Sequence, residues 1–306
     1  MFIFVNSMKT IPCIYLQINN ISMKKYLLAL IPVIFPVLLC GQAPFPTKNE
    51  IKQFTASKTC VVLEDDQFSS FNSYIKEAMK EYWTVTPYEF ITNDDFNVRR
   101  LKPEYSFIVL TETNFDKDKS NSVFNFINLL QGKDVSKLSM MPEICAIPLS
   151  FAGEDDLEYG YKLGAILSFI QKHALMIAED PSLTGRRYLK YYNKFVPDVM
   201  SKTILIRQED LVPAINTIEK IKAIYSNKIE IVTEDDIVKA IENKTPNTLI
   251  LHKVGPIGEK INSGYCFKML IGTDDSNMYY YNQHLIDKNN PNGFLPSDLK
   301  RLARFE

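Results

Sequence analysis

The chain carries an internal repeat, and this limits its fold more than any other feature. Ser57-Lys58-Thr59-Cys60-Val61-Val62-Leu63 falls on Ser201-Lys202-Thr203-Ile204-Leu205-Ile206 at an offset of 144, and Thr92-Asn93-Asp94-Asp95-Phe96 falls on Thr233-Glu234-Asp235-Asp236-Ile237 at an offset of 141. The first pair are short apolar, β-branched runs and read as buried strands. The second pair are helix starts, because a Thr hydroxyl caps free N–H groups and acids suit the positive end of a helix.

The elements between and after these anchors also correspond. An amphipathic helix follows each first strand: Phe68, Phe71, Tyr74, Ile75, Ala78, Met79 and Tyr82 in one copy, and Leu211, Ile215, Ile218, Ile221, Ile224 and Tyr225 in the other, with Pro213 in its first turn. A second strand (Val85 to Thr92; Ile229 to Thr233) precedes short helices over about 94–101 and 234–243. Third strands run from Tyr105 to Thr111 and from Asn247 to His252. Phe124 to Gly132 aligns with Cys266 to Gly272, and Glu143 to Phe151 with Met278 to Ile286. A long helix over about 155–178, headed by Gly153-Glu154-Asp155-Asp156, closes the first copy, and Pro296 to Arg304 closes the second. Each half reads β-α-β-α-β-β-β-α. The predicted fold class is α/β: two tandem α/β repeats, each with a mixed sheet flanked by helices. The repeats span 56–180 and 201–306, with a linker over 181–200. Thr59 is expected to overlay Thr203, Asp95 to overlay Asp236 and Gly132 to overlay Gly272, with the spacing difference near Trp83 to Pro87. This element order resembles the amino-terminal domain of TolB and the CsgG-like α/β domains of envelope proteins. The resemblance is topological, implies an envelope or surface role and brings no catalytic residue with it.

Residues 1–41 contain no Asp or Glu, while Lys9, Lys24 and Lys25 lie among them. Met23-Lys24-Lys25 leads into an apolar run from Tyr26 to Cys40, interrupted by Pro32 and Pro36 and followed by Gly41. A membrane-spanning helix needs about 20 apolar residues, so the run reads as the core of a signal peptide. Translation is read as starting at Met23, cleavage as following Gly41, and the mature chain as lacking a stable transmembrane span. Lipidation of Cys40 is the alternative, opposed by Leu39 where a small residue is expected. Cys40-Gly41-Gln42 resembles the signal-peptide ends of Bacteroidetes secreted proteins. The expected localisation is export: periplasmic, outer-membrane-associated or secreted. Cys60, Cys145 and Cys266, an odd number in apolar runs, are expected to be buried thiols.

The whole chain has 35 Lys and Arg against 36 Asp and Glu, a net charge of -1, which excludes an electrostatic case for nucleic acid. Glycine-rich phosphate loops, a Gly-x-Ser-x-Gly elbow and zinc-ligand spacings are absent, so no catalytic residue, metal or cofactor is assigned. The candidate ligand-binding residues are Glu64, Asp65 and Asp66 after the first strand, Glu209 and Asp210 after its counterpart, and His252 at the end of a strand. In open sheets ligands bind beyond the carboxyl ends of the strands. The competing reading makes the acids helix-start residues and His252 structural. Gly185 to Lys194 mixes basic and aromatic residues, as a surface for an acidic partner or as a connecting helix whose tyrosines pack on both halves. The functional expectation is an exported non-catalytic envelope or secreted module that binds an envelope or extracellular protein or a surface. The alternatives are a two-lobed small-ligand binder and a hydrolase with dispersed residues.

Overall fold

The computed structural model describes residues 44–305 except 67, 186 and 258–262; the leader, the signal peptide and Cys40 lie outside these residues. The elements of the first repeat are α1 (Lys48–Thr55), β1 (Lys58–Val62), α2 (Ser70–Tyr82), β2 (Tyr88–Ile91), α3 (Asn93–Arg99), β3 (Tyr105–Thr113), β4 (Phe124–Gln131), β5 (Glu143–Phe151), α4 (Leu157–Gly160) and α5 (Leu163–Glu179). A 3-10 connector, Tyr188–Ser201, leads to β6 (Thr203–Ile206), α6 (Ile218–Lys222), β7 (Ile229–Ile231), α7 (Glu234–Glu242), β8 (Thr248–Val254), β9 (Tyr265–Gly272), β10 (Met278–Leu285) and α8 (Pro296–Leu302).

The two sheets have one topology. The first has strand order β2-β1-β3-β4-β5 and the second β7-β6-β8-β9-β10. In each, the first three strands of the repeat are parallel and the last two return antiparallel. Both carry a bulge at one place: Leu129 pairs with Cys145 and Leu130 with Glu143, leaving Ile144 over, while Leu270 pairs with Tyr280 and Ile271 with Met278, leaving Tyr279 over. A bulge re-aims its strand, and its recurrence makes the likeness one of detail.

The ladders correct the expected overlay by one residue. Thr59 N donates to Pro87 O where Ile204 N donates to Lys228 O, and Lys58 N donates to Glu104 O where Thr203 N donates to Asn247 O. Thr59 therefore matches Ile204. Gly132 N donates to Tyr105 O and Thr273 N to Thr248 O, so Gly132 matches Thr273. A one-residue slip exchanges the faces of a strand, and the shared Ser-Lys-Thr triplet does not report the shared face. Asp95 and Asp236 do correspond, each the third residue of its helix with its N–H on the capping Thr.

The helix expected over Leu211–Tyr225 is broken. Two 3-10 turns, Gln208–Asp210 and Pro213–Ile215, precede α6, which starts afresh where Thr217 accepts Lys220 N. The helix expected over 155–178 is likewise split by the turn at Tyr161 and Lys162. Asp156, expected to cap it, instead accepts Phe71 N in the first turn of α2.

One core joins the repeats. Val61, Ile108, Ile127 and Leu129 of the first sheet meet Ile75 and Met79 of α2 and Ile166, Phe169 and Ile170 of α5. The same cluster includes Leu205, Ile250, Met269 and Ile271 of the second sheet and Ile237 and Ile241 of α7. A smaller cluster around Phe96 and Phe107 covers the far side of the first sheet, and Ile204, Ile206, Leu249 and Leu270 pack beneath Leu299 on the far side of the second. The three thiols are free and buried, as their strand positions imply.

The connector seals two sheet edges. The Tyr188 hydroxyl accepts from Ala146 N at 2.5 Å and donates to Ala146 O at 3.1 Å on β5. Asn193 accepts from Tyr281 N at 2.7 Å and donates to Tyr281 O at 2.9 Å on β10. Ala146 and Tyr281 occupy matching positions, opposite Asn128 and Met269. Two side chains thus replace an absent neighbouring strand and remove the pairing hazard of an open edge.

Candidate functional site

The polar residues that converge most strongly lie where the carboxyl ends of β6 and β8 meet the turn between α4 and α5. Arg207 follows β6, and its guanidinium gathers Glu158 at 3.3 Å, Glu209 at 3.2 Å, Asp210 at 3.7 Å and Glu234 at 3.6 Å. Asp210, almost wholly buried, also faces Lys253 Nζ at 3.8 Å. Burial disfavours the Arg207 charge, but the groups around it, led by Asp210, outweigh this and hold the guanidinium above its ordinary value.

From the first repeat, Tyr161 and Lys162 enter the same place. Lys162 Nζ stands 4.9 Å and Arg207 Cζ 5.7 Å from the centroid of the Tyr161 ring. Burial pushes the Tyr161 hydroxyl upward and the Lys162 amine downward, the latter opposed by Asp210. Four buried atoms here lack a hydrogen-bond partner: Tyr161 OH, Arg207 Nε, Asp210 Oδ2 and His252 Nδ1.

His252 is held through one ring nitrogen. Its Nε2 lies 3.0 Å from Pro148 O, so a neutral ring donates there and keeps its Nδ1 lone pair. Burial, reinforced by Lys162, pushes its pKa down to about 3. It completes the sealing of β5, where His173 bonds the Ile144 backbone and Tyr188 bonds Ala146. His252 thus also bonds the exposed edge of β5.

The predicted acids separate into two groups. Glu209 and Asp210 belong to the Arg207 cluster. Glu64, Asp65 and Asp66 instead shape the loop into α2: Ser69 Oγ donates to Glu64, Asn93 to Asp65 Oδ1, and Phe68 N to Asp66 Oδ1. Among the described residues no hydrogen bond or ion pair joins the two groups. Phe68, expected on the core face of a helix, precedes α2 and is 92% exposed. The residues missed by sequence reasoning are Tyr161, Lys162, Arg207 and Lys253, which come from three separate places in the chain and match no spacing rule.

A second buried polar group lies in the second repeat. Lys268 Nζ donates to Asp298 Oδ2 at 2.6 Å and to His284 Nδ1 at 3.0 Å, while Tyr280 OH and Asn282 Nδ2 donate to Asp298 Oδ1. Beside it, an open cavity of about 450 Å³ is lined by Val212, Pro213, Asn290, Pro291, Leu295 and Lys300, among others. Among the described residues no group of three His, Cys, Asp or Glu side chains is arranged to hold a metal ion, and no helix is long and apolar enough to cross a membrane.

Fold and site together define an α/β protein of two fused mixed-sheet repeats with an ionic cluster at their junction. Compared with protein-family models, curated proteins and solved structures, the chain has no match in any of the three.

Proposed function

We propose that the protein is an exported, non-catalytic envelope or secreted module that binds a partner protein or surface through the loops at the carboxyl ends of its strands. The observation that carries this reading is Phe68. It is 92% exposed on the loop after β1, between Asp66 and the start of α2, so a large apolar ring stands in water among acids. Binding energy at protein interfaces concentrates on such aromatic anchors. The shared core and the doubly bonded connector support a rigid binder rather than two lobes closing on a ligand.

The test is photo-crosslinking in the native cell, with a crosslinking residue at position 68 of the full-length chain and a control at exposed Lys239. A discrete adduct from position 68 alone, reduced by competition with unlabelled protein but not with its Phe68→Asp variant, is the expected result. Equal labelling from both positions, or retention of the whole protein in the cytoplasmic fraction, would refute the proposal.

A further inference from the structure

Phe68 and the open cavity of the second repeat occupy corresponding places in the fold. Phe68 stands in the loop that follows β1, and Val212, Pro213 and Ala214 stand in the segment that follows β6. The first repeat carries an apolar knob there, the Phe68 ring at 92% exposure. The second carries an apolar socket: Val212, Pro213, Ala214, Pro291, Leu295 and Pro296 contribute to its walls, and its volume is about 450 Å³. A dry apolar cavity of about 150 Å³ already holds a benzene ring, so a phenylalanine ring fits with room for its neighbours. The walls are held in shape. Asp298 accepts Leu295 N at 2.9 Å, His284 Nε2 lies 3.1 Å from Pro291 O, and Lys220 Nζ donates to Pro213 O at 2.8 Å.

The charges around knob and socket are opposite. Glu64, Asp65 and Asp66 lie just before Phe68 and are exposed. Lys300 lines the cavity, Lys220 bonds its wall, and Lys288 precedes the lining residue Asn289; these three lysines are exposed as well. Among the described residues none of these six charges has an ion pair. The acids beside the lysines are engaged elsewhere: Asp287 accepts Asn289 N at 2.7 Å and Asn290 N at 2.8 Å, and Glu219 bonds Thr217. Unpaired acids around a knob and unpaired lysines around a socket are complementary, and such complementarity steers encounter and fixes register.

We propose that Phe68 of one copy inserts into this cavity of a second copy, so that the protein self-associates head to tail. The inference rests on the reading of Phe68 as a binding anchor and names its partner. The contact joins two different surfaces, so successive copies close into a ring or grow into a filament. A contact centred on one ring belongs to the small, transient class. Assembly therefore builds up with protein concentration, and salt weakens it by screening the charges at its rim.

The test is sedimentation velocity of the purified full-length protein over a concentration series at low salt. It compares the wild type, Phe68→Asp, Ala214→Trp, which fills the cavity, and an equimolar mixture of the two variants. The wild-type sedimentation coefficient is expected to rise with concentration. Each variant alone is expected to lose about 30-fold or more in association constant, the size for an interface anchor. The mixture should recover association as a one-to-one dimer, because one intact knob and one intact socket remain in it. A monomeric wild type at every concentration, assembly indifferent to both variants, or a mixture that does not associate overturns the proposal. Should Ala214→Trp fail to fold, Lys300→Glu takes its place. A monomeric wild type whose position 68 still labels another protein in the cell overturns this inference and leaves the anchor reading standing.

Discussion

Ile127 and Lys268 occupy one position in the two repeats, each opposite the middle of the last strand, paired with Ile147 and Asn282. Both are fully buried. Ile127 lies in the apolar cluster beneath α5, a helix of 17 residues that buries Ile166, Phe169 and Ile170. Lys268 lies beneath α8, a helix of 7 residues that buries Asp298, Leu299 and Leu302. A long helix supplies enough apolar surface to close a sheet by burial alone. A short one does not, and here a buried ion pair with Tyr280, Asn282 and His284 around it completes the closure. One topology is thus closed in two ways. The ionic one has the larger penalty for losing a single partner, because removing one member of a buried pair strands the other charge.

Asp298→Ala is the strongest way to expose that difference. It leaves Lys268 buried with His284 as its remaining close partner and is expected to lower stability by about 3–5 kcal/mol in urea unfolding. Lys268→Met combined with Asp298→Leu, which imitates the first repeat, should recover part of this loss. A cost below about 1 kcal/mol for Asp298→Ala would show that the pair is not buried as described.

Sealing of the two edges should be matched in the two repeats. Tyr188→Phe leaves Ala146 N and O without a partner, and Asn193→Ala does the same at Tyr281. Each is expected to cost about 1–3 kcal/mol, the range for stranded buried polar groups. A loss confined to one of them would break the equivalence of the edges.

The element order was legible because buried strands are apolar, β-branched runs and the starts of α3 and α7 show their capping Thr. The faces were not: Ser57-Lys58-Thr59 and Ser201-Lys202-Thr203 are identical in sequence and differ in register, which the neighbouring strands decide. α1 went unread although Thr47 and Glu50 form a capping box, since the pair stands before a helix of only 8 residues. In the site, Asp210 was found because it follows β6, and His252 because its strand reads as ending there, although β8 runs on to Val254. Lys162 was hidden inside what reads as one long helix, and Arg207 and Lys253 come from the other repeat.

Acid should separate the wild-type protein from one lacking the His252 imidazole. Unfolded His binds a proton near pH 6.5, whereas burial holds folded His252 at about 3. The unfolded state therefore takes up the proton first, and this contribution to stability, complete above about pH 6.5, is lost as pH falls toward 3. His252→Gln retains an N–H for Pro148 O and does not titrate. Between pH 6.5 and 5 the wild-type protein is expected to lose about 2 kcal/mol more than the variant in urea midpoints. Equal losses would place His252 in water.

The smallest expected effect comes from the apolar side. Ile127→Val should cost about 1 kcal/mol, since it removes one methylene from a packed core without stranding any charge. A loss as large as that of Asp298→Ala would erase the contrast between the two closures.

Native-state hydrogen exchange tests the central claim most directly, that two copies of one unit are fused into one body through a shared core and a connector bonded to both edges. The slowest amides of β1 and β3 and those of β6 and β8 are expected to open with one common free energy, and Tyr188→Phe is expected to lower both sets together. If the second sheet opens at a lower free energy while the first is unaffected, or if Tyr188→Phe weakens the first sheet alone, the repeats are independent units and the account is wrong.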